Sequence, residues 1–298
     1  MKGFLSGRLL AACATLGLTG LPTMADATEL EPYEFKTVPA GTTVFLGYAI
    51  YGHDDQFKAT GGPKLDDGTN LDIKLSIARL AHYFNIGDTL ALIEVLQPIG
   101  SLDDARIAGQ RFKRSSGFGD TIFAAAVWPI NDTQKQTYFG VTLYLTVPTG
   151  KYDKLQTVNL GGNRIVYDPQ IALHQGFGKR WSIDLTADVI LYGDNQAAGV
   201  QGAQTLSQKA SFQGQAFVNY AWGGGFATSI GYQGFRGGTQ RLDGIDNGQK
   251  TQFDEVRFVA SKFVTPKFQL LGEVNHQFNV DGGFRQKVGF LVRGLYVF

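Results

Sequence analysis

The side chains that could do chemistry in this chain are carboxylates, guanidinium groups and four histidines. The one cysteine, Cys13, lies near the N-terminus. Asp184 and Asp188 share one face of an alternating run. At the strand rise they stand about 13 Å apart, two pleats along. That is wider than the carboxylate pairs of glycoside hydrolysis. The histidines are His53, His82, His174 and His276, and none has a carboxylate at zinc-ligand spacing. A lipid-acting barrel enzyme would need a serine, a histidine and an orienting group on its outer surface. His276 falls on an apolar face, but no serine and orienting partner join it. The glycine-rich stretches Gly117-Phe118-Gly119-Asp120 and Gly223-Gly224-Gly225 open no helix, so neither cradles phosphate. These residues predict no enzyme, no metal and no cofactor. The other reading of the carboxylates, as the lining of a lumen, depends on the elements that carry them.

Those elements are strands. Period-2 alternation dominates the chain. From Tyr138 to Val147, Phe139, Val141, Leu143, Leu145 and Val147 oppose Tyr138, Gly140, Thr142, Tyr144 and Thr146. The runs 181–192, 209–220 and 268–280 repeat the pattern. Twelve strands are predicted: 42–51, 71–84, 89–98, 119–128, 137–147, 164–176, 181–192, 207–221, 225–233, 252–263, 268–280 and 284–298. Most are as long as a tilted membrane strand, about 9–11 residues, whereas soluble strands are mostly about 5–6. No apolar run of the mature chain is long enough for a spanning helix. A closed barrel is the other way to pair every backbone group in lipid.

The N-terminus reads as a signal peptide, residues 1–27. Lys2 and Arg8 precede the apolar stretch Leu9–Leu21, and Ala25-Asp26-Ala27 offers a cleavage site. Leu10-Ala11-Ala12-Cys13 also has the form of a lipoprotein box, but the apolar stretch continues past it. Cleavage after Ala27 leaves the mature chain without thiols. It removes two of 27 basic and one of 26 acidic residues, leaving 25 of each. With no basic field, nucleic acid is not a partner. Residues 28–298 are then one barrel domain, with 28–41 a non-strand segment that either hangs in the periplasm or tucks into the barrel mouth.

Links after even-numbered strands are short, and those after odd-numbered strands are long except near Asp281-Gly282. Outer-membrane barrels have this asymmetry of periplasmic turns and external loops. Aromatic residues fall into two girdles. Trp128, Tyr138, Trp181, Tyr220, Trp222 and Phe268 mark the short-turn end, and Tyr51, Phe118, Tyr167, Tyr192, Tyr232, Phe253 and Phe284 the long-loop end. Tyr296 and Phe298 close the last strand as a C-terminal insertion signal for the barrel assembly machinery. The predicted fold is an all-β, transmembrane, antiparallel up-and-down barrel of about twelve strands, within a range of 10–14. Outer-membrane lipid is its surroundings.

The inward faces then carry Asp72, Lys74, Arg79, Glu94, Asp168, His174, Asp184, Asp188, Lys209, Glu255, Arg257, Glu273, Arg285, Lys287 and Arg293 as lumen-lining candidates. Both signs are mixed. They either brace the interior with ion pairs or line a path for solute.

The central segment carries a resemblance. Pro148-Thr149-Gly150-Lys151-Tyr152 precedes Val158-Asn159-Leu160-Gly161-Gly162-Asn163-Arg164 and Tyr167-Asp168-Pro169-Gln170. Pro39-Ala40-Gly41-Thr42 and Ser116-Gly117-Phe118-Gly119-Asp120 add two shorter pieces. Together they resemble the outer-membrane transporter family named for the MetA pathway of phenol degradation. Gly294 departs from its terminal-strand pattern. The resemblance implies a Gram-negative outer-membrane barrel that passes small aromatic or other hydrophobic solutes, passively because no energy-coupling motif is present. It assigns no substrate residues. Pro148, Gly150, Tyr152, Asn159, Gly161, Asn163, Arg164 and Pro169 are expected in a shaped external loop that stabilises the rim or gates solute. The alternatives are a structural or surface-interaction barrel with a closed lumen, and the lipid-acting enzyme considered above.

Overall fold

The computed structural model describes residues 29–298, so the expected signal peptide lies outside the described residues. Twelve antiparallel strands follow one another around a closed barrel. They are β1 (Thr43–Lys58), β2 (Asn70–Ile86), β3 (Thr89–Ile107), β4 (Thr121–Asp132), β5 (Thr137–Val147), β6 (Val166–Phe177), β7 (Trp181–Tyr192), β8 (Ser211–Gly223), β9 (Phe226–Arg236), β10 (Gln252–Thr265), β11 (Phe268–Asp281) and β12 (Gly283–Val297). Closure is made by β12 on β1, with Val44 opposite Val297 and Gly52 opposite Gly289. Each strand pairs with its sequence neighbour, so every edge is used.

Alternation sorts the side chains. Phe45, Leu80, Ile93, Phe123, Leu143, Ile171, Leu185, Val218, Ile230, Phe258, Leu270 and Val292, one from each strand, stand exposed on the outer face. A continuous apolar belt of this kind is unstable in water and stable in lipid. Trp181, Trp222, Phe263, Tyr296 and Phe298 are exposed near the short-turn end, and Tyr51, Phe118, Tyr167 and Tyr232 near the other. The turns between even and odd strands span only 87–88, 133–136, 178–180, 224–225 and 266–267. The long connections all lie at the opposite end.

Several boundaries differ from the sequence expectation. β1 runs on to Lys58 and β3 to Ile107, where loops were expected after 51 and 98. These extensions carry their own short strands: Lys64–Leu65 pairs with β1, and Gln110–Arg111 and Ser115–Phe118 pair with β3. Beyond the apolar belt, alternation loses its lipid-facing marker, so strand and loop look alike in sequence. A second sheet, from Asn195–Ala198, Gln204–Gln208, Gln240–Leu242 and Ile245–Asp246, caps the long-loop end. Lys209 lies in the link between that sheet and β8, outside the barrel wall.

Candidate functional site: the occupied lumen

The N-terminal segment, residues 29–42, enters the barrel. Pro32 fixes its own φ, and Tyr33 takes φ 66°, reversing the chain so that Glu34 N–H reaches Glu31 O at 3.2 Å. A left-handed φ on a residue other than glycine costs about 1–3 kcal/mol and persists only where the surroundings over-determine it. Here they do. Tyr33 N–H donates to Asp184 Oδ2 at 3.1 Å, and its ring lies 5.6 Å from that of His174. Leu30 N–H donates to Gln215 Oε1 at 3.2 Å. Beyond the turn, Gly41 N–H reaches Tyr83 O at 2.7 Å, which leads the chain into β1.

Two arginines of the wall hold this turn. Arg257 is fully buried. It pairs with Glu273 at 2.9 Å and Glu31 at 3.1 Å. It also donates to Leu30 O and to Gln215 Oε1, each at 3.0 Å, and lies 5.0 Å from the Phe217 ring centre. Arg79 pairs with Glu94 at 2.7 Å and with Glu34, and donates to Tyr48 Oη at 3.2 Å. Buried charges are tolerated only with partners of this quality. Leu30 and Phe35 fill the apolar space between Ala81, Leu90, Leu92, Ala126, Trp128, Tyr138 and Ala172. Trp128 Nε1 donates to Phe35 O at 3.1 Å. The gap left between segment and wall, bounded by Leu30, Glu31, Glu34, Gln215 and Phe217, offers about 10 Å³ to a water centre. That is the space of about one water molecule.

The sequence-predicted residues divide cleanly. Arg79, Glu94, Asp168, His174, Asp184, Asp188, Glu255, Arg257, Glu273 and Arg293 are all buried on inward faces. His174 Nδ1 lies 2.6 Å from Asp184 Oδ1, and Asn219 Nδ2 donates to Asp184 Oδ2 at 2.6 Å. Gln213 donates to Asp188 at 2.8 Å and accepts from Gln233 at 2.9 Å. Asp72 and Lys74, expected in the lumen, are on the outward face, because Leu71, Ile73 and Leu75 take the inward positions. Asp72 meets His53 at 2.8 Å and Lys74 meets Asp103 at 3.1 Å. Arg285 and Lys287 likewise converge on a partly exposed Asp55 at the rim, where register shifts between β1 and β12 break the alternation. His276 is exposed on the outer face and its Nδ1 meets Lys287 O at 2.6 Å.

Three girdle residues are also reassigned. Trp128 and Tyr138 point inward and pack on the N-terminal segment, so they are not membrane-interface rings. At the other end Phe284 packs inward on Phe57, at 5.2 Å between ring centres.

The long connection 148–165 folds inward at the long-loop end. Val158 and Leu160 are buried against Leu71, Ile73, Leu102 and Ala105. The residue that organises this loop is Asp120, which the sequence showed only as the end of a glycine-rich motif. Its carboxylate accepts from Gly150 N–H and Gly162 N–H, each at 2.7 Å. A Cβ on Gly150 would sit 2.6 Å from Asp120 N, and one on Gly161 would sit 2.9 Å from Asp120 Oδ1. That is the physical reason for glycine at both positions. Tyr152 Oη donates to Ala197 O at 2.8 Å, Asn159 Oδ1 accepts from Asp153 N–H at 2.8 Å, and Asn163 Nδ2 donates to Asn195 at 2.7 Å. The Arg164 guanidinium lies 4.2 Å from the Tyr192 ring centre. Pro148 is the first residue of the loop, directly after β5. Pro169, expected in the loop, is in β6, where the β6–β7 ladder keeps its register but lacks the pairs of Asp168 and Pro169. A residue without N–H fits such a break.

Comparison with known proteins follows the same outline. The family described as "Putative MetA-pathway of phenol degradation" matches residues 54–288. An outer membrane channel from Pseudomonas putida F1 is 28% identical, with a TM-score of 0.85 over 91% of this chain and 100% of that one. A Pseudomonas aeruginosa FadL homologue is 9% identical, with a TM-score of 0.49 over 93% and 96% of the two chains. The toluene transporter TodX of P. putida is 7% identical, with a TM-score of 0.43 over 90% and 91%. No curated protein matches the chain.

Proposed function

The chain belongs to the MetA-pathway of phenol degradation family, and from that premise we propose that it is a passive outer-membrane channel for small aromatic or other hydrophobic compounds. The observation that carries this reading is the stopper. A lumen closed by a separate segment, held through side-chain contacts, can be opened without breaking a strand ladder. The outer-membrane channel with which the chain is 28% identical supports the class. Solute enters from the external side past residues 148–165 and leaves when residues 29–42 withdraw. The buried wall residues Arg79, Glu94, His174, Asp184, Asp188, Glu255, Arg257, Glu273 and Arg293 line that path. The protein performs no bond chemistry. Tyr296 and Phe298 are the residues by which the last strand is handed to the assembly machinery, after a signal peptide of residues 1–27 has directed export.

The test is conductance and liposome swelling of the refolded protein beside a variant lacking residues 29–40. The variant is expected to conduct steadily and to admit aromatic solutes that the parent admits slowly. A correctly folded, silent variant would overturn the channel reading. It would favour the second reading, a structural barrel, for which the packed interior speaks.

A further inference from the structure

Phe35 occupies a recess that belongs to the wall, and we propose that this recess, with Arg79 beside it, is a binding site for an aromatic carboxylate that the chain's own Glu34-Phe35 pair blocks. The proposal rests on the channel reading above and names its solute class.

The ring half of the site is cut into the wall. Gly140 has no Cβ, and one built there would stand 2.4 Å from Phe35 Cε1. Trp128 lies beside Gly140 and packs on Phe35, with ring centres 5.7 Å apart and planes tilted by 46°. Leu92 and Ala126 complete the recess. The missing Gly140 side chain leaves a notch beside the indole, whose Nε1 is 3.4 Å from where that Cβ would stand, and the Phe35 ring fills it in the tilted arrangement aromatic pairs favour.

The acid half is one pleat repeat away. Arg79 is the inward residue next to Ala81, itself part of the recess lining, so it stands about 7 Å further along β2. It takes the Glu34 carboxylate. Glu94 at 2.7 Å and Tyr48 Oη at 3.2 Å hold the guanidinium independently, so it stays in place when Glu34 leaves. Arg293 is buried within electrostatic reach of Glu34, and its Nε has no hydrogen-bond partner among the described residues. A ring and an anion site about one pleat apart fit an aryl group carrying a carboxylate on a short arm. A plain hydrocarbon fills only the first half, and a short aliphatic acid only the second.

Ligand and segment compete for the same space, so apparent affinity is the intrinsic affinity multiplied by the fraction of time the segment is undocked. The probe is 3-phenylpropionate, with propionate and toluene as controls. The readout is Trp128 emission in full-length protein carrying Trp181→Phe and Trp222→Phe. A saturable change with 3-phenylpropionate alone is expected. Phe35→Ala is expected to tighten it at least tenfold by removing the competitor. In protein lacking residues 29–40, Gly140→Val is expected to abolish binding while heat-modifiable migration in detergent persists. An unsaturable response in the Phe35→Ala protein, an equal response to toluene, or unchanged binding in the Gly140→Val protein would each overturn the proposal. Conductance of the protein lacking residues 29–40 separates the two claims. Open current without ligand binding removes this site and leaves the channel, and ligand binding without any flux does the reverse.

Discussion

Single side chains do most of the closing. Arg257 touches the segment and the wall at once, through Glu31, Glu273, Leu30 O and Gln215. Removing one partner of a buried charge cluster typically costs about 3–5 kcal/mol, mostly from the charges left unpaired. Arg257→Ala should therefore lower the detergent-unfolding midpoint clearly and loosen the segment, seen as faster proteolysis before β1. Asp120→Ala should act elsewhere. It strands Gly150 N–H and Gly162 N–H, at about 1–3 kcal/mol for each buried unsatisfied donor, and should expose the 148–165 loop to proteases while the barrel still migrates as folded. The inward charges of mid-strand positions were readable from alternation. Asp72 and Lys74 were misplaced because they lie above the apolar belt, where the pattern inverts: the apolar Leu71, Ile73 and Leu75 face inward and the polar residues outward. Trp128 and Tyr138 were misplaced because a lipid-interface girdle and a buried docking surface ask for the same amphipathic rings.

At the scale of elements, the strands were legible and the segments between them were not. Every one of the twelve runs became a strand, since alternating runs of nine or more residues with a lipid-facing side allow few other folds. Residues 29–42 have no periodicity, and their partners are remote: Leu30 meets Gln215 across 185 positions and Glu31 meets Arg257 across 226. The 148–165 loop announced its glycines but not the carboxylate they wrap. That loop should also respond to acid. The backbone N–H of Leu155 and the Gln156 side chain hold the Asp153 carboxyl below its ordinary value. A depressed folded-state pKa gives stabilisation that is complete above the unfolded value, about 3.9, and is lost as pH falls through the lower folded value. Amide exchange at Leu155, corrected for its intrinsic rate, should therefore quicken below about pH 4. Asp153→Asn should remove that pH dependence. An unchanged protection factor from pH 6 to pH 3 would refute it.

For the molecule as a whole, the barrel is a fixed wall and the segment a removable part. The long-loop end is lined by a loop continuous with β5 and β6, and the lumen is filled by a chain that precedes β1. Phe298 N–H reaches Thr43 O at 3.0 Å, so the seam of the barrel lies where that chain turns inward. Deleting Phe298 is expected to cut the yield of inserted barrel more than the stability of what is inserted, measured by folded fraction in membranes against unfolding midpoint. The same seam sets an order of events in time. Residues 29–42 lack their full set of partners until the barrel is assembled, because those partners are spread over strands from β2 to β11. The stretch that precedes the first strand is thus the last to settle, a long-range contact that must wait for all the shorter ones. Refolding followed through Trp128 should lag behind refolding followed by strand content, and the interval between them is a time in which every newly made barrel stands open.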